Sequence, residues 1–150
     1  MRLRDLLDDQ SVKIGLESVD KEECFEEMVD ILVQAGRVAD RAATLRAIQT
    51  REEQGTTGIG TGIAVPHAKH GSIPSLMAAL GVSREGIEFD SIDGEPVHLV
   101  ILLLANINEP GPHLQALVEI ARLVRIPGFY RKAVEAGAPA QILELLDSEE

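Results

Sequence analysis

Cysteine is almost missing from this chain: Cys24 stands alone among 150 residues, so no internal disulfide can form. At that length one domain buries about 68–70% of its unfolded-chain surface, and a hydrophobic core suffices without covalent staples. Cations are scarce too. Fourteen Lys and Arg face 25 Asp and Glu, for a net charge of −11; such a surface repels a phosphate backbone at long range and attracts basic protein surfaces. Nucleic acid is therefore not expected as a partner. No apolar run exceeds Leu99 to Ala105, far short of the roughly 20 residues that span a bilayer. The opening MRLRDLLDDQ has no apolar stretch of a secretory signal. Together these absences predict a cytoplasmic protein that meets a membrane only indirectly, through another chain.

Cofactor signatures are missing as well. Gly58, Gly60 and Gly62 are spaced by two, so the G-x-x-G interval of a dinucleotide loop is absent, and a helix pattern precedes the glycines where a strand should. No lysine-serine pair completes a P-loop. His67, His70 and His113 lack a carboxylate or cysteine at a metal-site spacing, and Cys24 reads as a small core residue on a helix face. Neither cofactor nor metal is expected.

What is present is a succession of strand and helix patterns with no repeat, low-complexity tract or dividing linker. Val12 to Leu16 alternates as an edge strand does. Asp20 precedes Glu23 by three, a variant capping box, and Cys24, Phe25, Met28, Ile31, Leu32 and Ala35 recur at helical spacing up to Gly36. A second helix is expected from Asp40 to Gly55, with Leu45 and Ile48 inward and Arg51 in its last turn. After the glycines come a strand near Ile63 to Val65 and a polar stretch broken by Gly71 and Pro74. Met77 to Val82 and Val97 to Ala105 are apolar without alternation, the mark of central strands buried on both faces. Ile87 to Phe89 reads as a short strand before a turn at Asp93-Gly94. Pro112 is placed first in a helix carrying Leu114, Leu117, Val118, Ala121 and Val124; shorter helices follow Pro127 and Pro139, the former ended by Gly137. The pattern predicts a single-domain α/β sandwich over residues 1–150.

The most informative segment is Arg51 to Ala68, REEQGTTGIGTGIAVPHA. His67 follows a rigid Pro66 step, and the three glycines leave the preceding backbone bare enough for another molecule to approach. An imidazole with an unperturbed pKa near 6.5 is mostly neutral at cytoplasmic pH; it can attack phosphorus and later leave it. Arg51 offers a guanidinium fork that suits two phosphoryl oxygens, or else a cation that serves its helix end. His113, placed in the first turn of its helix, has both side chain and backbone available to an anion, or is a surface histidine. Thr57 suits a hydroxyl bond near such a site and equally suits a glycine-rich turn. Lys69 adds positive charge nearby or is simply solvated.

The segment resembles the active-site signature of the enzyme IIA components of the bacterial phosphoenolpyruvate-dependent phosphotransferase system, in the type 2 (fructose/mannitol/nitrogen-regulatory) group, approximately R-E-x-x-G-S/T-T-G-I-G-x-G-I-A-I-P-H. Arg51, Glu52, Gly55, Thr57, Gly58, Ile59, Gly60, Gly62, Ile63, Ala64, Pro66 and His67 match, and Val65 replaces an isoleucine. GIEFDSIDGEPVHLVILLLA and HLQALVEIARLV resemble later blocks, so the likeness covers nearly the whole chain. It implies a mixed sheet of about five strands with helices on both faces. It also implies that His67 accepts phosphate on Nε2 from the phosphocarrier HPr and passes it to an enzyme IIB for sugar uptake, with Arg51 and His113 beside it. In the nitrogen-type branch, phosphorylation would instead alter the grip on regulated target proteins. Thr61, where that branch often has asparagine, favours the sugar role, and the lack of an enzyme IIB or membrane domain favours the regulator. His70 and His98 match nothing functional and read as loop and strand residues.

Overall fold

Strand β6 (Val97–Asn106) is buried on both faces, and its side chains divide between two cores. In the computed structural model, which describes all 150 residues, Val100, Leu102 and Leu104 join one buried cluster while Leu99, Ile101 and Leu103 join the other. Helices α1 (Lys21–Gln34) and α2 (Arg41–Glu53) cover the first core through Phe25, Met28, Leu32, Leu45 and Ile48. The second lies under α3 (Pro110–Val124), α4 (Phe129–Val134) and α5 (Pro139–Glu149), which contribute Ile120, Leu123, Phe129 and Ile142. Each fully buried Leu or Ile side chain contributes about 1.5–3 kcal/mol. A strand that feeds two cores has no solvent face, hence the unalternated apolar run.

The sheet is mixed and has six strands, one more than expected. Its order is β1 (Val12–Ile14), β5 (Met77–Ile87), β6, β3 (Ile63–Ala64) and β2 (Gly58–Gly60), with β4 (His67–His70) also paired to β6. As the alternation predicted, β1 is an edge. Strand β5 runs antiparallel to β6, whereas β3 and β4 both run parallel to it. Ile63 pairs with Leu99 and His67 with Leu103, an equal offset, so β3 and β4 are one run along β6 divided at Val65-Pro66. Proline has no N–H for the ladder; it interrupts the pairing without shifting the register. Two expected boundaries change. Ile87 is not a separate strand but the far end of β5 beyond an irregularity after Val82, and His70, read as loop, closes β4.

Local chemistry sets the helix ends. The Asp20 carboxylate accepts the Glu23 N–H at 2.9 Å, and the Glu23 carboxylate reaches back to the Val19 N–H at 2.9 Å, so the capping box closes one residue early. Asp40 caps α2 through the Ala43 N–H at 3.0 Å. Helix α3 begins at Pro110, not Pro112, because both prolines fit a first turn that needs no amide hydrogens. A 3-10 turn at Leu3–Leu6, which no sequence signal marked, buries Leu3 in the second core.

The glycines of the hairpin joining β2 and β3 are needed for a reason other than access. Thr61 (φ 55°) and Gly62 (φ 85°) form its tip, with the two positive φ values of a type I′ turn. A Cβ on Gly62 would lie 2.8 Å from the Tyr130 ring carbon that bears the hydroxyl, and one on Gly58 would lie 2.9 Å from the Ser91 Cα. The space is filled by this chain's own Tyr130 and Ser91, not left bare for another molecule. Gly62→Ala therefore combines left-handed backbone cost with overpacking, whereas Gly94→Ala (φ 73°, open surroundings) carries the backbone cost alone. Urea unfolding should show Gly62→Ala less stable than Gly94→Ala by about 1–3 kcal/mol. Equal losses would mean that the Tyr130 contact is not restrictive.

Candidate active site

The Val65 carbonyl fixes the orientation of His67. Its Nδ1 lies 2.8 Å from the Val65 carbonyl oxygen, which can only accept, so Nδ1 carries the proton and donates it. Nε2 is left with a free lone pair. Val65 is held in turn by its own N–H, which donates to the Thr57 carbonyl at 2.9 Å, and the Leu103 N–H donates to the Pro66 carbonyl at 3.0 Å. Strand β2 pairs only with β3, so nothing in the sheet lies outside β4. There α2 and the start of α3 border an open hollow of about 1000 Å³, whose lining includes Arg51, His67, Lys69, His70 and His113, with Ile107 and Leu114 among its apolar residues.

His113 reaches this hollow because the chain turns sharply after β6. The Asn106 side chain accepts the Asn108 N–H at 2.8 Å and donates to the Ile73 carbonyl at 2.8 Å, and the Asn106 carbonyl accepts the Glu109 N–H at 3.0 Å. The His113 ring then lies against His67, centroids 5.3 Å apart and planes at 64°. His113 is the fourth residue of α3, where the amide is the first to join the helical ladder. Pro110 and Pro112 supply no N–H at all, so the expected backbone donors shrink to Gly111. The side chain is what His113 brings. It is buried, and its Nε2 has no hydrogen-bond partner.

Both imidazoles are held neutral. Burial pushes the His67 pKa below its ordinary value, and the Arg51 and Lys69 cations push the same way, against the Val65 carbonyl bond and the Glu52 carboxylate. For His113, burial and the nearness of His67 and Lys69 lower the pKa to about 4.

Arg51 and Thr57 have defined partners. Arg51 Nη1 donates to the Gly55 carbonyl at 2.9 Å, so the residue does serve its helix end, while the rest of the fork makes no hydrogen bond within the chain. Thr57 is buried; its hydroxyl and its N–H each donate to a different Glu52 carboxylate oxygen, both at 2.7 Å. The hydroxyl is occupied by Glu52, so Thr57 supports the site by holding its loop. Two groups here were not singled out beforehand. The Val65 carbonyl gives no residue-type signal, since every residue has one; Glu52 had one, an acid in the last turn of a helix, against the dipole. His98 lies on β6 and donates Nδ1–H to the Ser83 carbonyl at 2.8 Å, outside this hollow. No three His, Cys, Asp or Glu side chains gather as a metal site, and no helix is long and apolar enough to cross a membrane.

A family model described as "Phosphoenolpyruvate-dependent sugar phosphotransferase system, EIIA 2" matches residues 5–149. The chain belongs to this family. It is 37% identical over 147 residues to the fructose-specific EIIABC component of the phosphotransferase system of Bacillus subtilis (strain 168), covering 98% of this chain but 23% of that protein. The chain thus spans about a quarter of that relative. The fructose-specific EIIA component of Haloferax volcanii is 36% identical, over 84% of this chain and 82% of that one. A nitrogen regulatory protein of Bradyrhizobium diazoefficiens is 32% identical, over 95% and 92%. The crystal structure of nitrogen regulatory protein IIA-Ntr from Neisseria meningitidis superposes with a TM-score of 0.88 at 26% identity, covering 96% of this chain and 98% of that one.

The buried His113 gives this enzyme IIA a pH-dependent stability. In the unfolded chain a histidine titrates near 6.5, so below that pH the unfolded state takes up a proton that the folded state refuses down to about 4. Stability is complete above about pH 6.5 and falls as the pH drops toward 4. His67 acts in the same direction in any variant that retains it. His113→Gln should therefore lose less unfolding free energy than the parent between about pH 7 and about pH 5. Equal losses in urea titrations at the two pH values would show that His113 is protonated in the folded state.

Proposed function

We propose that this protein carries a phosphoryl group on Nε2 of His67, received from an HPr-like phosphocarrier and handed to an enzyme IIB for sugar uptake. The bond from His67 Nδ1 to the Val65 carbonyl is the observation that carries this reading. It leaves Nε2 as the nucleophile, and it stabilises the positive charge that spreads to Nδ1–H once Nε2 is bonded to phosphorus. In each transfer the donor's bond to phosphorus breaks as the Nε2–P bond forms, and the reverse exchange delivers the group to the acceptor. The depressed pKa keeps the lone pair available. Arg51 supplies donors and charge to the phosphoryl oxygens, and the His113 ring, packed edge-on against His67, supports the imidazole that carries them.

The surroundings suit a protein partner. Ile107, Leu114 and Val118 are more than half exposed near the hollow, an apolar rim that a carrier surface can cover. The name of the Bacillus relative joins EIIA to B and C components, which supports an enzyme IIB as acceptor. The likeness to nitrogen regulatory proteins supports a second reading, in which phosphorylation alters binding to a regulated target. Thr61 occupies a left-handed turn position that suits asparagine better than a β-branched residue, and it is held there by its N–H to Asp93 and its hydroxyl to the Gly60 carbonyl.

Phosphoenolpyruvate, enzyme I and HPr together should add one acid-labile phosphate, absent in His67→Ala, and the labelled protein should pass it to a fructose-type enzyme IIB. Labelling that survives in His67→Ala would overturn the assignment. Retention of the phosphate in the presence of enzyme IIB would favour the regulator.

Arg51→Lys tests the fork against the helix end. Lysine keeps the charge and most of a helix-end benefit of about 0.3–1 kcal/mol, so the thermal midpoint should hardly move. It cannot reproduce the planar pair of donors, so transfer should slow by about 10²-fold. Normal transfer would confine Arg51 to its bond with the Gly55 carbonyl.

A further inference from the structure

An acid in the last turn of a helix sits at the wrong end of the dipole, and Glu52 sits there while buried, its side chain only 7% exposed. Its surroundings explain why. One carboxylate oxygen accepts the Thr57 N–H and the other accepts the Thr57 hydroxyl, both at 2.7 Å, and Lys21 Nζ lies 3.4 Å from the first. Thr57 is thereby bolted to the end of α2 at two points. Its carbonyl in turn takes the Val65 N–H at 2.9 Å, and the Val65 carbonyl takes the His67 Nδ1–H at 2.8 Å. The path from the carboxylate to the imidazole is unbroken, and the Thr57 hydroxyl is the one other side chain in it.

We infer that Glu52 is a positioning residue for His67, fixing through Thr57 and Val65 the backbone carbonyl that selects the Nδ1–H tautomer and aims Nε2 into the hollow. Carboxylate is the group this requires. It offers an acceptor to each of two donors and a counter-charge to Lys21, whereas an amide offers one oxygen, must reverse the bond to the Thr57 hydroxyl and leaves Lys21 unpaired. The neighbouring Arg51 extends from the same helix turn, so the bolt also fixes the distance between the guanidinium and the imidazole. Glu52 also acts through space: its charge is among the groups that raise the His67 pKa. The effect on transfer rests on the phosphocarrier reading; the effect on the tautomer does not.

Histidine-¹⁵N spectroscopy of the unphosphorylated protein reads the tautomer directly. The parent should show His67 as the Nδ1–H form. Glu52→Gln should admit the Nε2–H form, lower the pH at which His67 titrates, and slow phosphorylation by HPr about tenfold or more, as small misplacements of a nucleophile do. Thr57→Val should shift the tautomer in the same way, Thr57→Ser should restore it, and adding Thr57→Val to Glu52→Gln should change little further, since both cut one path. If Glu52→Gln does not fold, the Thr57 pair carries the test. An unchanged His67 tautomer and transfer rate in Thr57→Val would overturn the inference. A parent that shows the Nδ1–H form yet takes no phosphate would overturn the phosphocarrier reading alone, leaving the tautomer series to judge Glu52.

Discussion

One backbone carbonyl, left free where the outer strand β2 gives out, decides how this site is built. Ile63 through His70 would be one uninterrupted partner for β6, but Pro66 has no amide hydrogen, and the ladder stops there and resumes in register. Val65 turns its N–H and carbonyl away from β6: the N–H meets the Thr57 carbonyl just before β2 begins, and the carbonyl, with no strand beside it, is taken by the imidazole two residues on. An outer strand that reached beside Val65 would offer that carbonyl a backbone donor and leave Nδ1 unpaired. The tautomer of His67 is thus a consequence of strand geometry. The break is tolerated because β6 is anchored independently from both faces: its pairing with β5 and its two hydrophobic cores hold it in place whatever happens on the β3–β4 side.

That division also accounts for where the hollow lies. Strand β2 covers the outer side of β3 and ends, so from His67 onward the sheet has a free edge. Free edges invite unwanted strand pairing. Here α2 packs against β4 on one side, and the turn at Asn106 brings α3 to the other, so the edge is narrowed to a concavity lined by Arg51 from α2, His67 from β4 and His113 from α3. Stability and site share the same few contacts: the Asn106 bonds that end β6 also set the place of His113.

Most of the architecture was legible in the sequence because it follows from periodicity and punctuation. The doubly buried runs at Met77 and Val97, the Asp20 and Asp40 caps and the edge character of β1 all have local causes. Strand β4 did not, since His67–His70 contains one buried residue, Ala68, and its pairing is dictated by the register of β3 across Pro66. The glycines were legible as special and misread in purpose: spacing shows that a Cβ is unwelcome, whereas the identity of the intruder, Ser91 or Tyr130, depends on chain segments far away in sequence. Arg51, His67 and His113 stood out by type and motif. The Val65 carbonyl did not, because an acceptor common to every residue becomes distinctive only once the backbone is placed.

Electrostatics joins these parts. The chain is strongly acidic overall, yet Arg46, Arg51 and Lys69 line the hollow around two neutral imidazoles. Positive charge near a histidine disfavours its protonation and at the same time favours an anion in its place, so on the phosphocarrier reading the Arg51 and Lys69 cations that add to the effect of burial on the His67 pKa would also stabilise a phosphoryl group bonded to it. A site made only of cations would hold that group too firmly to release it. The Val65 carbonyl and the Glu52 carboxylate pull the other way. Glu52 follows Arg51 in the same helix turn, so the opposing charges are placed together by one element. On the phosphocarrier reading, the balance between accepting and releasing a phosphate is set by one turn of helix and one backbone carbonyl.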